Sequence, residues 1–288
     1  MTGSAAHQGG SLGPVFVFPD ANHGVGPVAQ TKQFKTYPEQ VELLRSRGMN
    51  IPDKNRAERL RGQLNYYRLS GYWYPMRRFI DGHDRDEFVD GTSFDLVVSL
   101  YEFDEHLRHM AFTELDRIEM VVRTMWGYEL GRIDPLICLS PSRLGARARQ
   151  PLRDGRTVHE TWLTKYKSAV KNSKEDFVAH HEHKYGGTMP IWAAVEVMDW
   201  GMLSYLYGMS PSPVRNRIAS RCSLRAPQLE SWLKSLNILR NLTAHHGRIF
   251  NRVYDVKPKL RSGRADEPHL RPALTHPVSS PPTGAVSS

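Results

Sequence analysis

Cysteine is nearly absent from this chain: Cys138 and Cys222 are the only two in 288 residues. Two thiols cannot build a disulfide framework or a cysteine-based zinc site, so a reducing cytoplasm is the expected setting. Long apolar runs are missing as well. None approaches the roughly 18 residues that a membrane span needs, and the first residues show no basic stretch leading into an apolar one, so neither a span nor a secretory leader is expected. No segment alternates apolar and polar residues over a useful length, which argues against a substantial sheet. No internal repeat is visible. What is present is a hydrophobic content of 40%, enough for a real core, and a net charge of +9 with a pI near 9.6. That charge suits a polyanionic partner, RNA before membrane, because no strongly amphipathic basic terminal helix is evident. A basic protein without such a partner is the alternative.

Residues 1–33 are rich in Gly, Ser, Ala and Pro, and residues 255–288 carry Pro258, Pro268, Pro272, Pro277, Pro281 and Pro282. Both stretches lack a hydrophobic period and are expected to be disordered tails around a domain at 34–254. Inside it the period is helical. Val41 and Leu44 share one face before a stop at Gly48; Asp53 suits an N-cap ahead of Ala57, Leu60, Leu64 and Tyr67. Leu64–Phe79 then interleaves Tyr66, Tyr67, Tyr72, Trp73 and Tyr74 with Arg68, Arg77 and Arg78. Such a mixture can stack on unpaired bases and hold phosphates. The competing reading buries most of the rings in a helix corner, leaving the arginines as the RNA candidates. After a polar turn at Asp81–Gly91, Thr92 or Ser93 caps a long helix running to about Gly131, with Leu96, Leu100, Phe103, Leu107, Met110, Ile118, Val122 and Met125 at spacings of three and four. On it, Glu119 and Arg123 stand four apart and could pair at the surface. Residues 134–156 read as a basic surface insertion. An amphipathic helix is expected over Trp162–Phe177, and His180, His181 and His183 after it read as solvated rather than metal-binding. Pro190 opens another helix, with Gly201 inside it at a cost that a close helix crossing would justify.

The chemistry gathers in the last helical pattern. Pro227 suits a first turn; Leu229, Trp232, Leu233, Leu236 and Leu239 recur at helical spacing; Gly247 suits a stop. At its end stand Arg240, Asn241, His245, His246, Arg248, Asn251 and Arg252. At about 100° per residue, Arg240 and His245 lie roughly 140° apart around the axis, whereas Asn241 and His245 share a face. Arg240 must reach round, or meet a His245 from another chain. A neutral imidazole moves protons near neutral pH, and a guanidinium forks onto phosphate oxygens. Together they are the minimum kit for attack of an RNA 2′-hydroxyl on its own phosphate, without a metal. The plainer alternative is a helix C-terminus that collects cations for its dipole.

The string Leu236-Asn237-x-x-Arg240-Asn241-x-x-Ala244-His245-His246-x-Arg248-x-x-Asn251-Arg252 resembles the Arg-x4-His signature of the HEPN superfamily (higher eukaryotes and prokaryotes nucleotide-binding) as found in Abi-like abortive-infection proteins. Gln40, Gly48 and the Asn65-Tyr66-Tyr67-Arg68-x-x-Gly71-Tyr72 block match an earlier stretch of that family, and Trp192, Glu196, Gly201, Leu203, Ser204 and Tyr207 match a third. The resemblance implies an all-α HEPN-type helical bundle with an N-terminal helical extension. It implies a metal-independent endoribonuclease in phage defence, with Arg240, His245 and Asn241 catalytic, His246 and Arg248 supporting, and Glu119 or Glu196 as acidic neighbours. Arg68, Arg77, Arg78 and Arg252 are the RNA-binding candidates. No metal or cofactor is expected; RNA, a homodimeric second copy and an antitoxin are the expected partners. The rival expectation is a non-catalytic HEPN RNA-binding module, working with a structured noncoding RNA or as half of a toxin–antitoxin pair.

Overall fold

A computed structural model describes residues 32–80 and 83–259, so the expectations for residues 1–31 and 260–288 lie outside the described residues. The fold is all-α, with one small hairpin. Three short helices come first: α1 (Tyr37–Ser46), α2 (Lys54–Gln63) and α3 (Tyr66–Trp73). Each starts where a side chain satisfies an orphan N–H. Thr36 and Glu39 exchange bonds in a capping box, Asp53 accepts from the Arg56 amide, and Asn65 accepts from the Tyr67 amide. Strands β1 (Arg77–Ile80) and β2 (His83–Phe88) then pair antiparallel, where the sequence reads as a helix corner and a polar turn. Their charged residues do not alternate cleanly, so the period-two signal is missing.

Ser93 caps α4 (Phe94–Gly131), whose 38 residues span about 57 Å and form the spine of the molecule. After it come α5 (Val158–Asn172), α6 (Asp176–Tyr185), α7 (Ile191–Ala194), α8 (Trp200–Met209), α9 (Ser212–Arg221) and α10 (Ala226–Ala244). The helix expected from Pro190 is thus broken after Ala194, and Asp199 caps the second piece by accepting from the Met202 amide. The histidines of 180–183 lie on α6. No helix among the described residues is long and apolar enough to cross a membrane.

Two cores share α4. Its first turns (Phe94, Val97, Val98) close a small core with Val41, Leu44, Leu69, Tyr72 and Trp73. Its later turns (Leu115, Val122, Trp126, Leu130) enter a larger core with α5 and α7–α10. Residues 134–156 belong to that larger core rather than to a surface insertion: Ile137, Cys138 and Ala148 are buried on two 3-10 turns, and Leu144 is buried between them. Irregular turns have no hydrophobic period, so nothing in the pattern marks them. The apolar positions that the sequence spaces along α4 divide between its faces: Val122 is buried, and Leu100 and Met125 pack against the cores. Leu96, Phe103, Met110 and Ile118 are exposed, while the buried stripe runs through Val97, Asp104, Arg108, Leu115, Glu119, Val122 and Trp126.

Close packing of α7 on α4 depends on two glycines one turn apart. A Cβ at Gly127 would stand 3.1 Å from Cα of Trp192, and one at Gly131 would stand 3.0 Å from the Trp192 ring. At Gly201, by contrast, the nearest atoms are the capping Asp199 carboxylate and Asn237 of α10. Gly127→Val therefore forces α7 off the spine and lowers stability by about 1–3 kcal/mol despite its better helix propensity, as a denaturant titration of the full chain will show. A variant as stable as the parent would mean that this crossing is not tight.

Candidate functional site

The end of α10 is set by backbone geometry. His245 is the residue at the cap, His246 takes a left-handed conformation (φ 55°), and the chain turns with two closing bonds. The His246 amide donates to Thr243 O at 3.3 Å and the Gly247 amide to Leu242 O at 2.7 Å, the pattern of a Schellman stop. Glycine at 247 is required for a different reason than a left-handed backbone: a Cβ there would lie 2.9 Å from the Leu242 side chain and 3.2 Å from its carbonyl. A histidine in the left-handed region is costly by about 1 kcal/mol and persists where surrounding contacts hold it.

Those contacts come from α3 and α4. Arg68 donates to the carbonyl of His246 at 2.7 Å, and Arg248 donates to the carbonyl of Gly71 at 2.6 Å. Asp104, with no exposed surface, accepts four bonds. One oxygen takes the Tyr72 hydroxyl at 2.6 Å and a guanidinium N–H of Arg108; the other takes the backbone amides of Ile249 (3.2 Å) and Phe250 (2.7 Å). Burial first, then the bond to Asp104, pushes the Tyr72 hydroxyl up to about 12, so it stays a donor at physiological pH. The segment after α10 is thus tied down by buried groups. The chain then runs back along α10, where Ser235 donates to Val256 O and Trp232 to Lys259 O.

Arg240 is held from the opposite side. Its Nε lies 3.5 Å from Oε2 of Glu119, a buried carboxylate on α4 that also takes a guanidinium N–H of Arg123. Arg123 in turn donates to the carbonyls of Val195 and Glu196. Glu119 therefore pairs with both arginines, and the pair is buried rather than at the surface. Glu196 contributes only its carbonyl; its carboxylate is exposed and pairs with neither Arg240 nor His245. The terminal amino groups of Arg240 have no partner among the described residues, and the side chain is 34% exposed. Asn241, His245 and His246 are exposed, with no hydrogen bond to any of their side chains among the described residues. No contact joins Arg240 to His245 within the chain, in line with their offset around α10.

The outlying basic candidates divide. Arg68 and Arg248 line one depression of about 390 Å³ with Asn65, Tyr67, Gly71 and Tyr72. Arg77 and Arg78 are on β1 and meet Asp86 and Asp90, which neutralise them. Arg252 is exposed just past the motif. Of the five rings, Tyr72 and Trp73 are buried, Tyr66 packs beside them, and Tyr67 and Tyr74 are exposed. Among the described residues no three His, Cys, Asp or Glu side chains gather as metal ligands would.

A family model described as Abi-like protein matches residues 61–251. The chain belongs to the Abi-like protein family. No curated protein and no solved structure matches it. The family points to abortive infection, a form of phage defence. The Abi-like match opens at Arg61, which is buried and reaches Gln40 on α1, and closes at Asn251, just past the residues that Asp104 holds. The Asn65–Tyr72 block, the Trp192–Tyr207 stretch and the string at the end of α10 lie within it, while Gln40 and Gly48 precede it, and in the fold the first block touches the α10 string. Asp104 and Arg108 escaped the sequence reading, although they stand four apart on α4 like Glu119 and Arg123 and fall on its buried stripe.

Asp104→Ala would leave Arg108 as a buried cation and two amides unpaired, a loss of about 3–5 kcal/mol. Hydrogen exchange at the Ile249 and Phe250 amides should then rise well above that elsewhere in α10. Unchanged protection at both amides would show that Asp104 does not hold the motif.

Proposed function

We propose that this Abi-like protein is a metal-independent endoribonuclease of the HEPN type, acting in phage defence by cleaving RNA. The observation that carries the reading is Arg240. Its Nε is oriented by a buried carboxylate while its two amino groups stay free and accessible, which is the state in which a guanidinium can fork onto a phosphate. His245, one helical turn past Asn241 and open to solvent, takes the proton from the 2′-hydroxyl or returns one to the leaving 5′-oxygen. The 2′-oxygen bonds to phosphorus as the 5′-oxygen leaves, so the products carry a 2′,3′-cyclic phosphate and a 5′-hydroxyl. Arg240 stabilises the charge that builds on the phosphorane. Asn241 donates to a phosphate or sugar oxygen. His246 and Arg248 assist through the loop that they hold, and Arg252 adds charge along the strand.

His245→Ala and Arg240→Ala should each lower cleavage by about 100-fold or more while the far-ultraviolet spectrum stays that of the parent; only Arg240→Ala, which takes one donor from buried Glu119, should also lower the melting temperature. RNA ends sequenced after induction in cells supply the readout. Undiminished cleavage in either variant ends this mechanism.

A homodimer completes the proposal. Arg240 and His245 diverge on one helix, so a second copy is needed to bring such a pair to one phosphate. The exposed stripe of α4, with Phe103, Met110 and Val121, supplies an apolar face for that copy, and the Phe103 ring reaches Phe250 beside the motif (centroids 5.4 Å apart). Met110→Glu should shift the mass in light scattering from two copies to one and abolish cleavage together with it. A parent protein that runs as one copy at micromolar concentration would overturn the dimer.

One observation favours the second reading, an RNA-binding module without catalysis. The His245 ring has no orienting partner among the described residues, and a general base is usually held by a third group. In that case RNA binding persists, growth continues on induction, and no new RNA ends appear. A structured noncoding RNA or an antitoxin would then be the partner to seek.

A further inference from the structure

Most arginines of the described chain meet a carboxylate. Arg47, Arg56, Arg143, Arg156 and Arg221 do so at the surface, Arg215 half-buried, and Arg108 and Arg123 inside. Arg68 and Arg248 do not. Each uses one N–H on a backbone carbonyl and has no acidic partner among the described residues, and both line the same depression. Asn65 lines it too; its Oδ1 is taken by the Tyr67 amide, which leaves its amide N–H groups as donors. The depression therefore offers donors and positive charge with no carboxylate to offset them.

Its remaining wall is aromatic. Tyr67 is 66% exposed, unlike Tyr72 and Trp73 on the same helix, which are buried. The ring meets Tyr66 edge-on at 5.8 Å, and the Lys32 ammonium stands over it, 5.8 Å from its centroid. An exposed ring beside guanidinium groups with no acidic partner is the combination that holds one nucleotide of a single strand: the phosphate on the cations, the base on the ring. The place is also informative. Arg68 grips the carbonyl of His246, so the depression adjoins the end of α10.

We infer that this depression is a subsite for one unpaired nucleotide beside the end of α10, its base stacked on Tyr67 and its phosphate held by Arg68, Arg248 and Asn65. The inference rests on the reading of the protein as RNA-binding but not on its being catalytic. Arg68 and Arg248 position the motif loop and bind phosphate at once, so strand and loop are registered by the same two side chains. The subsite selects single strands, because a paired base cannot present its face to Tyr67.

The test uses the full chain carrying His245→Ala, so that a labelled short single-stranded RNA of mixed sequence is not consumed. Adding Tyr67→Ala should weaken binding of that strand about tenfold and leave binding of the same strand annealed to its complement unchanged. Tyr67→Trp should bind as tightly as the parent. Adenosine monophosphate should compete better than ribose 5-phosphate. Equal affinity of the Tyr67→Ala protein and its parent overturns the subsite, as does a Tyr67→Trp protein as weak as the alanine variant, or equal competition by the two phosphates. Cleavage is scored separately on chains with native His245. Absent cleavage with Tyr67-dependent binding removes the nuclease and keeps the subsite; His245-dependent cleavage with Tyr67-independent binding does the reverse.

Discussion

Two buried carboxylates on one helix govern this molecule. Asp104 and Glu119 stand on the inner stripe of α4, each four residues before an arginine, and each reaches past that arginine to the motif. A buried carboxylate is tolerated only when its lone pairs are filled by good donors. Asp104 meets this with a hydroxyl, a guanidinium and two backbone amides, which fixes the segment after α10. Glu119 meets it with two guanidinium groups, which fixes the direction of Arg240. Neither arrangement adds much net stability over an apolar core of the same shape; what each confers is position, because breaking it strands a charge.

The rest of the fold serves that grip. The small core places α3 beside the end of α10, where Arg68 and Arg248 exchange bonds with the opposite backbone. The larger core holds α8, α9 and α10 against the later turns of α4, and Glu129, buried there, gathers Arg217 and Arg221 from α9. Gly127 and Gly131 let α7 lie close enough for the Val195 and Glu196 carbonyls to take Arg123. Arg123 is thereby locked, and Glu119 with it. A positioned guanidinium at the surface is the product of this chain of contacts.

Charge is distributed to the same end. A net charge of +9 suggests a broadly basic surface, yet many of the cations are offset by nearby carboxylates. Arg68, Arg248 and Arg252, which have no carboxylate partner among the described residues, stand near the end of α10, and Arg240 there shares Glu119 with Arg123.

Helix caps were legible from sequence because they are local: Asp53, Ser93 and Pro227 stand where a first turn needs them, and each acts within three residues. The motif and its partner block were legible as strings of residues, and their family membership follows from those strings. Long-range partners were not. The two amides on Asp104 come from about 145 residues away, and no periodicity encodes which buried acid meets which backbone. The buried face of α4 was hidden for a related reason: its inward stripe mixes polar and apolar residues, and apolar positions such as Phe103 and Met110 face out, so hydrophobic spacing alone does not mark it. Sequence determined the helices, their caps and the identity of the reactive groups, since these depend on neighbours a few residues apart. Only tertiary structure decided that Glu119 turns to Arg240, that Tyr67 faces out while Tyr72 faces in, and that the two blocks meet, since these depend on which surfaces the core brings together.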